Sequence, residues 1–102
     1  MTVTIDPGFH INANPASFDY LIPTTLNVSN QAPLRVTYPA PVSFKSKFSN
    51  EPLNVYEGTV RIVAAFQHGS LKRTPYIFGT LTVQACTAAL CLPPADLPLL
   101  RK

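Results

Sequence analysis

The sequence predicts an all-β domain, an antiparallel β-sandwich, and three observations lead to that class. Eleven prolines are spread along the chain, so few stretches can run three helical turns without meeting a residue that lacks the amide donor and clashes with the preceding turn. Apolar residues make up 46% of the chain and charged ones 13%, with Val, Ile, Thr, Tyr and Phe prominent; this is the palette of pleated, half-buried surfaces and not of disorder. Short β-rich runs recur with turn-prone residues between them, and no helical period of useful length interrupts them. With 102 residues, the chain 1–102 is expected to be a single domain around one core. An eight-stranded closed barrel is the alternative, which this length would only just permit.

Taken in order, the runs are 9–12, 25–29, 34–38, 58–66 and 79–85, and five to eight strands are expected in all. The first follows Gly8, and the second and third are β-rich runs separated by turn-prone residues. The clearest is 59–66, where Val60, Ile62 and Ala64 point one way and Thr59, Arg61 and Val63 the other, as expected of a central strand. Its continuation 67–75 is polar and turn-rich. The run 80–84 follows with Leu81 and Val83 on one face, so these two runs are expected to form a hairpin with a long connection. The least regular stretches are 15–23, 39–52 and 93–98, and loops of such length in a small domain often carry function.

Charge and motif counts exclude most function classes. The net charge of +3 comes from Lys and Arg scattered in runs no longer than two, so no nucleic-acid partner is expected. No window approaches the roughly 18 apolar residues that would cross a bilayer. The start lacks a basic region followed by an apolar core, so a signal is expected to have been removed and Met1 to be a start placed on a mature domain. With His10 and His68 as the only histidines, no Gly-x-Ser-x-Gly and no His-Glu-x-x-His, neither a serine triad nor a zincin site has support. Two Cys and two distant His lack zinc-ligand spacing, and the four glycines stand singly at apparent turns, so no metal and no cofactor is expected.

The remaining chemistry lies in one cysteine pair, Cys86 and Cys91, in the run Gln84-Ala85-Cys86-Thr87-Ala88-Ala89-Leu90-Cys91-Leu92-Pro93-Pro94. A ring this short removes little entropy from the unfolded chain, so as a disulfide it contributes only about 2 kcal/mol, and a stapling role would favour cysteines far apart in sequence. Thiol–disulfide exchange needs only two sulfurs, one of them within reach of a partner's thiolate. The spacing is not the Cys-x-x-Cys of a thioredoxin-type helix, and Pro93-Pro94 prevents a helix from following, so the carrier is expected to be strand and loop. A close pair in a small β domain fits an oxidising space such as a periplasm. The competing reading is a binding or adhesion module in which the same bridge is purely structural. A third reading, an assembly domain, uses the apolar tail Leu97-Pro98-Leu99-Leu100 for strand addition, unless that tail is simply the last strand.

The cysteine run, together with Gly8-Phe9-His10-Ile11-Asn12-Ala13, Ile22-Pro23-Thr24, Tyr38-Pro39 and Val55-Tyr56-Glu57-Gly58, resembles the N-terminal periplasmic domain family of the thiol:disulfide interchange protein DsbD over nearly the whole chain. The resemblance implies an immunoglobulin-like sandwich and a redox pair at Cys86 and Cys91, with Cys91 forming the mixed disulfide and Cys86 resolving it. It implies electrons arriving from membrane or thioredoxin-like domains and leaving to thioredoxin-like partners, namely periplasmic disulfide isomerases and a protein of cytochrome c maturation. The domain itself is then soluble, and the family allows it to be one part of a membrane protein. The resemblance also implies a loop with an aromatic residue over the disulfide, which here falls on Phe48 with Lys47 and Ser49 beside it. The acidic residues that well-known members carry before that aromatic are replaced by Ser46 and Lys47, and the cysteine spacing is one residue shorter. Plainer readings stand beside these: Phe48 as an edge or core aromatic, His10 as a hydrogen-bonded structural histidine at a strand start, Tyr38, Tyr56 and Tyr76 as core and corner tyrosines, and Lys72-Arg73 as a solvated loop.

Overall fold

The computed structural model describes residues 1–29, 33–46, 50–66 and 77–101, and among these there are eleven strands and no helix. The strands are β1 (Thr2–Thr4), β2 (His10–Asn12), β3 (Thr25–Val28), β4 (Arg35–Thr37), β5 (Val42–Phe44), β6 (Leu53–Tyr56), β7 (Thr59–Arg61), β8 (Val63–Ala65), β9 (Ile77–Val83), β10 (Ala85–Cys86) and β11 (Ala95–Arg101). All pairings are antiparallel, in the orders β1-β7, β10-β2-β6-β5, β11-β9-β3 and β4-β8. The result is the all-β, immunoglobulin-like sandwich that the composition and the resemblance imply.

The two layers meet mainly through apolar side chains. Leu26 on β3 and Leu81 on β9 pack against Ile62, and Val36, Ala64, Leu99 and Val83 close round them, so the β11-β9-β3 sheet faces the β1–β7 and β4–β8 pairs. A second cluster of Ile5, Ile11, Ala13 and Tyr56 continues this interior under β2 and β6. The opposite face of β2 and β6 is buried as well. There Leu53 and Val55 pack beneath Leu21, Ala16 and Phe18 of the irregular stretch 13–24, with Phe44 of β5 alongside. Burial on both faces explains why β2 shows no inside–outside alternation: His10, Ile11 and Asn12 are all buried.

Several sequence expectations need correction. The run 58–66 keeps its alternation, with Ile62 buried and Thr59, Arg61 and Val63 exposed, but it is two strands and not one. The amide of Ile62 donates to the Met1 carbonyl and its carbonyl accepts the chain's terminal amino group, so the first half pairs with β1 and the second with β4. It forms no hairpin with β9, whose neighbours are β3 and β11; Ile62 and Leu81 instead touch across the core. More strands form than the five to eight expected, because proline-flanked pieces also pair. β5 lies inside 39–52, and β11 runs through Pro98, which an edge strand tolerates because it needs hydrogen bonds on one side only. The apolar tail is therefore the last strand, paired with β9 along its whole length.

Gly79 stands within β9 and not at a turn, because a Cβ there would run into the carbonyl oxygen of Asn27 on β3. Tyr38 and Tyr56 act as expected of core and corner tyrosines: their hydroxyls accept hydrogen bonds from the amides of Leu26 at 3.0 Å and Asn14 at 3.1 Å. Tyr76, His68, Gly69 and Lys72-Arg73 lie outside the described residues.

Candidate functional site

Cys86 and Cys91 sit on a tight hairpin that leaves the end of β9. Thr87 donates its amide to the Leu90 carbonyl at 2.7 Å, and Leu92 donates to Ala85 at 2.8 Å. Between these two hydrogen-bonded rungs, Cys86 and Cys91 form the intervening rung that carries no backbone bond, where opposed side chains come closest. Their Cα atoms are 4.0 Å apart and their sulfurs are joined in a disulfide. The Thr87 hydroxyl accepts the amides of Ala89 and Leu90, both at 3.3 Å, and so satisfies the donors of the turn.

The two cysteines are not equivalent. Cys86 is buried, at 1% exposure, because β10 pairs with β2. Cys91, on the free arm of the hairpin, is half-buried, and Leu90 and Leu92 on either side of it are exposed. An apolar groove of about 280 Å³ runs from Leu92 past Ala85 to Phe9 and Leu97. Cys91 is therefore the more accessible residue of the pair, and it is flanked by apolar surface.

The floor of the site is a polar clamp. The Gln84 side-chain oxygen accepts from the Asn12 side-chain amide at 3.0 Å and from the Ile22 backbone amide at 3.1 Å. Asn12 also donates to the Ile22 carbonyl at 2.9 Å, and the Thr24 hydroxyl donates to the Asn12 carbonyl at 2.7 Å. These bonds tie the stretch 13–24 to β2 and to the root of the cysteine hairpin. Gln84→Ala leaves Asn12 and the Ile22 amide short of an acceptor, and we expect it to lower stability by about 2 kcal/mol, read from urea unfolding of the oxidised domain. A loss within about 0.5 kcal/mol would mean that water replaces Gln84 at no cost.

His10 stands directly opposite Cys86 in the β10–β2 ladder. It is 1% exposed, its ring lies 4.1 Å from that of Phe44, and its Nε2 has no hydrogen-bond partner among the described residues. Burial lowers its pKa below the ordinary 6.5, with Glu57 pulling more weakly the other way. A histidine held neutral binds fewer protons folded than unfolded, so its contribution to stability is complete above pH 6.5 and is lost as pH falls from there through the folded value. We expect the wild-type domain to lose stability in that window and His10→Gln to show a flatter profile, measured by urea unfolding between pH 4 and 8.

Among the sequence-derived candidates, the structure joins Cys86 to Cys91, whereas Lys47, Phe48 and Ser49 lie outside the described residues. The residues just before them, Phe44 against His10 and buried Ser46, are described. Sequence reasoning assigned no site role to Phe44, Gln84 or Asn12, and it read His10 as a hydrogen-bonded structural histidine. No spacing signal could have revealed these residues, because only strand register brings them to the cysteines. No three His, Cys, Asp or Glu residues among those described could hold a metal ion, and no described helix is long and apolar enough to cross a membrane, which says nothing of a β-barrel.

A strand-borne disulfide between a buried and a half-buried cysteine, the second flanked by exposed apolar side chains, defines a class: an immunoglobulin-like domain that carries its cysteine pair on a hairpin and not on a helix. Comparison with protein families narrows this class. The family described as thiol:disulfide interchange protein DsbD, N-terminal, matches residues 1–97, and the chain belongs to that family. Its membership supports thiol:disulfide interchange as the activity. The comparisons with curated proteins and with solved structures gave no match.

Proposed function

We propose that residues 1–102 form one periplasmic domain that relays two electrons through Cys86 and Cys91, as a protein-disulfide reductase. Its partners would be thioredoxin-like protein domains: a donor, in a membrane or thioredoxin-like part, and acceptors such as disulfide isomerases or the cytochrome c maturation pathway. The observation that carries this reading is the asymmetry of the pair, with Cys86 buried and Cys91 half-buried between exposed Leu90 and Leu92. In the delivering direction, the Cys91 thiolate attacks one sulfur of the partner's disulfide, forming a mixed disulfide and releasing the other partner sulfur as a thiolate. Cys86, as thiolate, then attacks Cys91 Sγ. The domain's disulfide forms, and the partner leaves with both sulfurs reduced.

The apolar groove beside Leu92 supports a protein partner over a small thiol, since it offers surface for docking. The position of Phe44 against His10 brings the end of β5 towards the cysteines, and this supports the reading of the loop that follows, with Phe48, Lys47 and Ser49, as a cap over the disulfide. The test is direct transfer: mix the reduced domain with an oxidised thioredoxin-like protein, quench with acid and count thiols on both by alkylation. The proposal predicts two thiols lost from the domain for each partner disulfide reduced. Retention of both thiols after prolonged mixing would overturn it.

A further inference from the structure

We infer that His10 is the proton acceptor for Cys86 in the step that resolves the mixed disulfide, an inference that rests on the relay reading above. His10 and Cys86 are directly paired across the β10–β2 ladder, so their side chains project from the same face. Both are 1% exposed, which leaves the Cys86 thiol little access to water as a base. The one described ring nitrogen without a partner in this interior is His10 Nε2, a group whose burial with nothing to bond is otherwise a net loss. Phe44 packs at 4.1 Å against the ring, so few orientations are open to it.

His10 lines a cleft of about 400 Å³ that opens past Gly8, Glu57 and Gly58. The charged groups that line this cleft with His10 are Asp6, ahead of β2, and Glu57, after β6, and Glu57 acts on the imidazole electrostatically. The sheltered imidazole is neutral near pH 7, the form that can accept. In the mixed disulfide, the Cys86 S–H proton passes to Nε2 and the thiolate attacks Cys91 Sγ. The Cys91–partner S–S bond breaks, and the partner sulfur leaves as a thiolate and takes a proton from solvent. The imidazolium then returns its proton to water through the cleft. The reverse reaction uses the same atoms in the opposite order, with the imidazolium protonating Cys86 as it leaves.

The test is rapid mixing of the reduced domain with excess oxidised glutathione between pH 5 and 8, following a concentration-dependent phase, attack by Cys91, and a concentration-independent phase, resolution by Cys86. For the wild type, the second phase is expected to reach a plateau towards neutral pH and to fall as the imidazole protonates. In His10→Phe and His10→Gln, resolution is expected to slow roughly a hundredfold at pH 7 and to rise with pH without a plateau, while the first phase is unchanged. A variant that folds and keeps the wild-type rate and pH profile would overturn the role of His10 alone, as would a wild-type resolution rate that is flat across this range whether or not the variants fold. A wild-type domain that shows neither phase would overturn the relay reading and this inference with it.

Discussion

Cys86→Ala and Cys91→Ala are each expected to reduce electron transfer to a thioredoxin-like partner to the uncatalysed background, yet to leave different products. Cys86→Ala keeps the half-buried sulfur at Cys91, so it can be captured by a partner but cannot resolve, and a mixed disulfide should accumulate. Cys91→Ala keeps only a sulfur that is 1% exposed, and capture should fall by an order of magnitude or more. Non-reducing electrophoresis after mixing with oxidised partner, followed by mass determination of the adduct, separates the two. Both variants should remain folded, since a ring closed over five positions contributes only about 2 kcal/mol. Equal capture by both variants would mean that the burial difference does not set the order of attack. Wild-type transfer in either would remove the pair from the mechanism.

The largest loss of stability is expected at Leu81, far from the cysteines. Leu81 is fully buried in β9, faces Leu26 and Leu97 in register on its two sides, and packs on Ile62 of the opposite layer. Leu81→Ala removes three carbons from the place where the layers meet, where neither sheet can collapse into the space without breaking its ladder. We expect a loss of about 3 kcal/mol, measured as the shift in urea midpoint multiplied by an unchanged slope. Against a total of roughly 5 to 15 kcal/mol for a small domain, that leaves a marginal fold. Val63→Ala, on a strand of the same sandwich but 48% exposed, should change stability by less than about 0.5 kcal/mol. A small effect at Leu81 would place the mechanical centre of the core elsewhere.

What could be read from the chain without a structure follows from which interactions are local. Cys86 and Cys91 close their ring through Thr87 and a turn, so the pair announces itself in eleven consecutive letters. The face of 59–66 was legible because alternation is a property of one strand, and Val60, Ile62 and Ala64 do point inward. The partners of that run were not legible, since nothing in its letters says whether a neighbour will be β1, β4 or β9. The strands β5 and β11 were hidden by their prolines, which read as breakers although an edge position relieves them of half the ladder. The face of β2 that carries Asn12 and His10 reads ambiguously because both sides of the strand are buried. The opposition of His10 to Cys86 depends on a register between segments at the two ends of the sequence.

The claim that this hairpin disulfide is a working redox couple and not a staple is tested most directly by its reduction potential. The folded domain would be equilibrated against glutathione buffers of graded composition, its free thiols trapped by alkylation, and Cys86 and Cys91 counted at each ratio. A working couple is expected to lie within the range of known exchange proteins, roughly −120 to −270 mV, where thioredoxin-like partners can both fill and empty the pair. A potential below about −300 mV would contradict that claim and leave the bridge as a structural feature of a binding module.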